Sequence, residues 1–95
     1  MVEPALKNRS KCRIFADILI VLSEGNDVRI TQLVHSANVP YDRLTGYLSQ
    51  MERSDLIKTS PIDAGGVYEI TQKGRKYLIE YRKLEEFSNI FGVEI

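Results

Sequence analysis

The residues of this sequence that could carry covalent or metal chemistry are few, and their spacing excludes most of it. There is a single cysteine, Cys12, and a single histidine, His35. One thiol and one imidazole cannot build a structural zinc site, which takes four such ligands. A nucleophilic triad would have to run through His35, and neither Cys12 nor any serine has the local signature of a catalytic nucleophile. Gly65-Gly66 reads as a turn, because no Gly-Lys-Ser/Thr follows to make a phosphate loop. His35, beside Val34, reads as a partly buried or surface side chain, and Cys12 as a small core residue. The chain is therefore read as a non-enzyme that needs no cofactor and no metal.

What remains is a polar set between residues 41 and 53: Tyr41, Arg43, Thr45, Ser49, Gln50 and Arg53, with Gly46 in its midst. Arg and Gln donate to base edges or phosphates, and Ser, Thr and Tyr hydroxyls donate to phosphate oxygens. Such a set needs a rigid element to carry it. Leu44, Tyr47, Leu48 and Met51, with Tyr41, recur at helical spacing, so a helix over about Tyr41–Ser54 has one apolar arc. Its other arc holds Asp42, Arg43, Thr45, Gly46, Ser49, Gln50 and Arg53. A merely solvated helix face is usually filled with Glu and Lys, so this arc is read as touching a partner. Gly46 lacks a side chain there and would let the backbone come close.

The neighbouring elements follow from the same reasoning. An apolar run from Ile14 to Leu22 predicts a first helix from Asn8 or Ser10 to Gly25, apolar nearly all round and so buried on more than one side. A short helix from Thr31 to Ala37, capped by Thr31, joins the polar helix through a turn at Asn38, with Pro40 in the first turn that follows. Val28-Arg29-Ile30 could pair as a small third strand. Leu56–Ser60 and Val67–Ile70 are β-type runs around a short wing, Ile62 to Gly66, and Pro61 ends the first of them. Thr71 caps a last helix that runs to about Phe91, roughly 30 Å long. Its stripe, Tyr77, Tyr81, Leu84, Phe87 and Phe91, exceeds what a small body can cover, so Phe87, Ile90 and Phe91 require a partner.

Ninety-five residues, 43% apolar and 27% charged, fit one soluble domain with one modest core. The apolar run of nine residues containing Asp17 is too short for a membrane span, and no signal peptide is evident. The lone cysteine is compatible with a reducing cytoplasm. The net charge is zero, which counts against tight binding to phosphates. It is unevenly spread: residues 1–13 carry Lys7, Arg9, Lys11 and Arg13 against Glu3, and residues 78–95 carry four glutamates against Arg82 and Lys83. Lys58 is the only base of the wing, and Asp63 near its tip would repel phosphate.

Ala37-Asn38-Val39-Pro40-Tyr41, Leu44, Tyr47-Leu48 and Leu56-Ile57 resemble a group of archaeal winged helix-turn-helix proteins. So do Tyr68-Glu69-Ile70-Thr71-Gln72-Lys73-Gly74 and Tyr77 through Leu84. The group includes small transcriptional regulators and ten-kilodalton chromatin-type DNA-binding proteins, and the likeness covers roughly residues 9–87. It implies dimers joined by an extended C-terminal helix, with DNA contacted through the third helix and the wing. This chain departs from the pattern in having Arg43, Thr45, Gly46 and Ser49 where members often carry Lys or Glu, and in a last helix that stops by Gly92.

The expected fold is mainly α with a small antiparallel β-ribbon: one winged-helix domain over 1–95, with the helix-turn-helix at about 29–54, the wing at about 56–70 and a dimerisation helix at about 72–91. The expected partners are double-stranded DNA and a second copy of the chain, in the cytoplasm at the nucleoid. Candidate DNA-contacting residues are Arg29, Thr31, Gln32, Tyr41, Arg43, Thr45, Gly46, Ser49, Gln50, Arg53, Lys58 and Ser60, with Lys11 and Arg13 adding phosphate charge. Candidate dimer residues are Ile20, Tyr77, Tyr81, Leu84, Phe87, Ile90 and Phe91, although for Tyr77, Leu78 and Tyr81 packing within the chain is the stronger reading. The neutral charge and the acid-bearing wing support an alternative, a winged helix that docks another protein.

Overall fold

A computed structural model describes residues 9–61 and 66–95. The elements run α1 (Lys11–Glu24), α2 (Ile30–Ser36), α3 (Tyr41–Arg53), β1 (Ile57–Ser60), β2 (Val67–Ile70) and α4 (Gln72–Phe91). Helix α1 starts where Ser10 Oγ accepts the Arg13 N–H at 3.1 Å, satisfying an amide with no partner inside the helix. It buries Ile14, Phe15, Ala16, Ile18, Leu19 and Leu22 against α2, β2 and α4. The expectation that it is covered on several sides is thus met by its own chain, with Ile20 half-buried at the edge. Gly25 ends it in an extended conformation, φ −113°. What excludes a side chain there is space: a β-carbon would lie 2.8 Å from Val28 Cγ2.

Two expectations about α2 need correction. The helix begins at Ile30 and its cap is Arg29, whose carbonyl accepts from Gln32 and Leu33 at 3.0 and 3.2 Å; Thr31 lies inside the first turn. The third strand shrinks to one bridge, Val28 to Tyr68, with the Tyr68 N–H on the Val28 carbonyl at 2.8 Å. Arg29 is still extended and Ile30 already helical, so no length remains for a second pair. The connection to α3 passes through Asn38 at φ 56°, as its tolerance of the left-handed region allows. Pro40 stands just outside α3, where its carbonyl takes the N–H groups of Arg43 and Leu44 at 3.1 and 2.8 Å.

Helix α3 buries Leu44, Leu48 and Met51. Tyr41 differs from the helical-wheel expectation: it is 56% exposed. As the first residue of the helix it leans back toward the N-terminus, where no preceding turn lies beneath it. β1 and β2 pair antiparallel from Ile57 opposite Ile70 to Ser60 opposite Val67. β1 starts one residue late because Leu56 donates to the Met51 carbonyl at 2.9 Å and accepts from Thr71 N–H at 3.1 Å. The tip residues Asp63 and Gly65, and Lys7 and Asn8 at the other end, lie outside the described residues.

Thr71 holds two parts together. Its hydroxyl accepts the Gly74 N–H at 3.0 Å, capping α4, and donates to the Asp55 carbonyl at 2.6 Å in the α3–β1 corner. A β-carbon on Gly74 would overlap the Leu56 carbonyl oxygen and come within 2.8 Å of Ile70 Cγ1, so only glycine lets α4 sit this close. The inner half of α4 packs on α1: Leu78 and Tyr81 are buried, and Tyr77 Oη donates to the Cys12 carbonyl at 2.7 Å. Burial, then the Cys12 contact, pushes the Tyr77 phenol well above its usual range. From Leu84 onward the apolar side chains of the helix are exposed, and it ends at Gly92, φ 69°. Among the described residues no helix is long and apolar enough to cross a membrane.

Candidate nucleic-acid interface

The outward side of α3 is a stripe of Asp42, Gly46, Ser49 and Arg53, which fall one above another at helical spacing. Arg43 and Gln50 border it on one edge, Thr45 and Glu52 on the other. All are exposed except Gln50, which is half-buried. Arg43 and Arg53 form no ion pair among the described residues, so both guanidinium forks keep their donors. Thr45 donates its hydroxyl to the Asp42 carbonyl at 3.0 Å, leaving its oxygen as an acceptor. Gly46 lies mid-helix with nothing beyond its own helical backbone within 4 Å of where a β-carbon would stand. Packing does not explain this glycine, which lowers helix propensity by about 1 kcal/mol relative to Ala.

The wing contributes less. Lys58 Nζ lies 3.7 Å from Glu69 Oε1, its partner across the ribbon, and Ser60 Oγ donates to Glu69 Oε2 at 3.5 Å. Thr59 Oγ1 donates to Glu52 Oε2 at 2.6 Å, fixing the wing to the last turn of α3. Burial first, then the charge of Glu52 and the nearby Tyr41, raises the Tyr68 phenol above its usual range. Thr31 and Gln32 are exposed on the first turn of α2, and Arg29 is half-buried at its cap. Over α3, its corner and the described wing, Arg43, Arg53 and Lys58 face Asp42, Glu52, Asp55 and Glu69, three cations against four anions.

Two features escaped the sequence reading. Glu52 belongs to this face, and the signal for it was its place on the wheel beside Thr45. Arg9, counted among the basic groups of the N-terminal segment, is instead a strut. Its guanidinium donates to Asp17 Oδ2 at 2.9 Å, the Ala37 carbonyl at 3.0 Å and the Asn38 carbonyl at 2.5 Å, holding the start of α1 to the turn between α2 and α3. Lys11 stands over the Phe15 ring, 5.9 Å from its centroid. Among the described residues no group of three His, Cys, Asp or Glu is placed to hold a metal ion.

The sequence pattern of the winged helix-turn-helix family matches residues 8–89. The chain belongs to this family. None of the curated proteins matches it. Among solved structures, the winged-helix chain is similar to Sso10a-2, a DNA-binding protein from Sulfolobus solfataricus, with TM-score 0.79 and 22% identity over 88% of this chain and 87% of that one. It is also similar to AF1382 from Archaeoglobus fulgidus, with TM-score 0.68 and 18% identity over 86% and 93% of the two chains. A third is the transcriptional regulator MosR of Mycobacterium tuberculosis in complex with DNA, with TM-score 0.67 and 27% identity over 80% of this chain and 59% of that one. The winged helix-turn-helix resemblance seen in the sequence is borne out, as is the fold: among the described residues, four helices, the last of them long, and an antiparallel ribbon.

Proposed function

We propose that this winged-helix chain is a homodimeric DNA-binding protein, a transcriptional regulator or small chromatin-type component acting at the nucleoid, without enzymatic activity. In this reading α3 lies in the major groove, with Arg43, Gln50 and Arg53 on base edges or phosphates and Thr45, Ser49 and Tyr41 on the backbone. Arg29 at the cap of α2, Thr31 and Gln32 on its first turn, and Lys58 and Ser60 on the wing contact the flanking phosphates. The observation that carries the reading is Gly46, open to solvent in the middle of an exposed polar helix face, where a partner's surface can reach the backbone.

Support for the second copy comes from the other end of the molecule. Phe87, Ile90 and Phe91 are 50%, 71% and 65% exposed, and the Phe87 and Phe91 rings lie 4.9 Å apart as one apolar knob. Leu84 joins that knob to a groove of about 490 Å³ lined by Cys12, Leu56, Tyr77 and Tyr81 together with Lys73, Lys76 and Glu80. Tyr81 is buried and Tyr77 half-buried within their own chain, so the contact proposed here is made by Leu84, Phe87, Ile90 and Phe91. Pairing two copies would also space two α3 helices for successive turns of DNA.

Anisotropy of a labelled random-sequence duplex pool at low salt tests the DNA reading. Binding that weakens as salt rises, and that falls in Arg43→Ala and Arg53→Ala with Lys83→Ala unaffected, is the expected result. A second reading, a winged helix that docks another protein, is favoured by the charge balance of α3 and the wing. It takes over if the pool is not bound even at low salt. For the dimer, light scattering that gives a monomer at micromolar concentration would remove the claim.

A further inference from the structure

The face of α3 differs from what a general coating protein requires, and the difference lies in its carboxylates. Affinity for duplex DNA of arbitrary sequence comes from Lys and Arg on phosphates, each neutralised phosphate adding about 0.9 to the steepness with which binding falls with salt. Here three cations face four anions over α3, its corner and the described wing, and Lys58 already has Glu69 at 3.7 Å. Arg43 and Arg53, which form no ion pair among the described residues, leave two arginines per protomer on this face for phosphates.

Meanwhile two carboxylates stand inside the contact surface. Asp42 is exposed on the central stripe, and Glu52 on its edge is held in place by Thr59 at 2.6 Å. A fixed carboxylate repels phosphate, yet it accepts from the exocyclic amine of cytosine, as arginine donates to guanine and glutamine pairs with adenine. Resting on the DNA-binding reading above, we infer that this face reads a particular duplex sequence. Asp42 and Glu52 are the specificity-determining residues, which lower affinity for every other sequence. Arg43, Gln50 and the two carboxylates then form a set with a partner for guanine, adenine and cytosine, and Gly46 allows the approach that base contact needs. A homodimer places two such sets on half-sites related by a dyad.

The test starts with the homodimer and a selection from random duplex DNA. Affinities for the selected and a scrambled duplex are then measured over a salt series, for wild type and for Asp42→Asn and Glu52→Gln. The selection should converge on a dyad-symmetric motif, bound about a thousandfold or more tighter than the scrambled duplex at physiological salt. The salt slope on the scrambled duplex should be about −4 or shallower, as four arginines per dimer allow. Each isosteric variant should raise affinity for the scrambled duplex and reduce the selected-to-scrambled ratio by about tenfold. Circular dichroism confirms that both variants are folded. A pool that stays random, with selected and scrambled duplexes bound alike, overturns the inference while leaving the DNA-binding reading intact. Failure to bind any duplex at any salt overturns that reading, and this inference falls with it.

Discussion

The outer faces of α3 and α4 are both exposed, and they are built in opposite ways. On α3 the exposed positions, Tyr41 apart, are polar and balanced in charge, with an open glycine at the centre. On the outer half of α4 they include four large apolar side chains, Leu84, Phe87, Ile90 and Phe91, with the two phenylalanines packed on each other. Water stabilises the first arrangement and opposes the second, since exposed aromatic surface gains about 25 cal/mol per Å² when covered. The proposed α4 contact therefore draws its strength from burial and the α3 contact from hydrogen-bond geometry. Two helix glycines repeat the contrast: Gly74 has no room for a methyl group, whereas Gly46 has nothing near it.

The comparison is most easily broken at α4. Phe87→Asp combined with Phe91→Asp should abolish self-association in sedimentation while leaving the circular dichroism unchanged. Because linked binding sites gain about 10²- to 10⁴-fold, affinity for a dyad site should fall about a hundredfold or more. Unchanged sedimentation would show that the knob is not the contact. Next in size is Gly74→Ala, where overpacking should cost about 1–3 kcal/mol of stability in denaturant titration. Arg43→Ala, by contrast, should leave stability alone and lose about 1–3 kcal/mol of binding to the preferred sequence.

Gly46→Ala sharpens the contrast most. It should raise stability by about 0.5–1 kcal/mol and weaken DNA binding, so a gain in both would place Gly46 outside the contact. The smallest effect concerns the inner half of α4. The Tyr77 phenol is raised above its usual 10.0 by burial and the Cys12 contact, so the unfolded chain loses this proton first. Its contribution to stability is complete below pH 10 and is lost as pH rises beyond it. Thermal unfolding between about pH 9 and 11 should show a drop that is smaller in Tyr77→Phe.

The order of elements could be read from the sequence because each boundary has a local cause. Thr71 and Gly74 mark the restart of α4, Asn38 the turn and Pro61 the end of β1. What could not be read depends on groups distant in the chain. The Arg9 strut ends on backbone carbonyls 28 and 29 residues away, and carbonyls leave no trace in side-chain pattern. The pairing of Thr59 with Glu52, and the shift of the α2 cap from Thr31 to Arg29, follow from the corner between α3 and the wing and from the Val28 bridge. On α3 the outer arc was legible from helical period alone, apart from the exposure of Tyr41, which the period does not encode at a helix's first residue.

An amide-shift titration of isotope-labelled protein with duplex DNA tests the central claim most directly, since it reports on each backbone N–H separately. We predict that shifts cluster at Arg43, Gly46, Ser49, Gln50 and Arg53, with smaller changes at Thr31, Gln32 and Lys58 and none at Phe87 to Phe91 beyond those of the free dimer. Shifts confined to α4, with the Gly46 amide unmoved at saturation, would contradict the account.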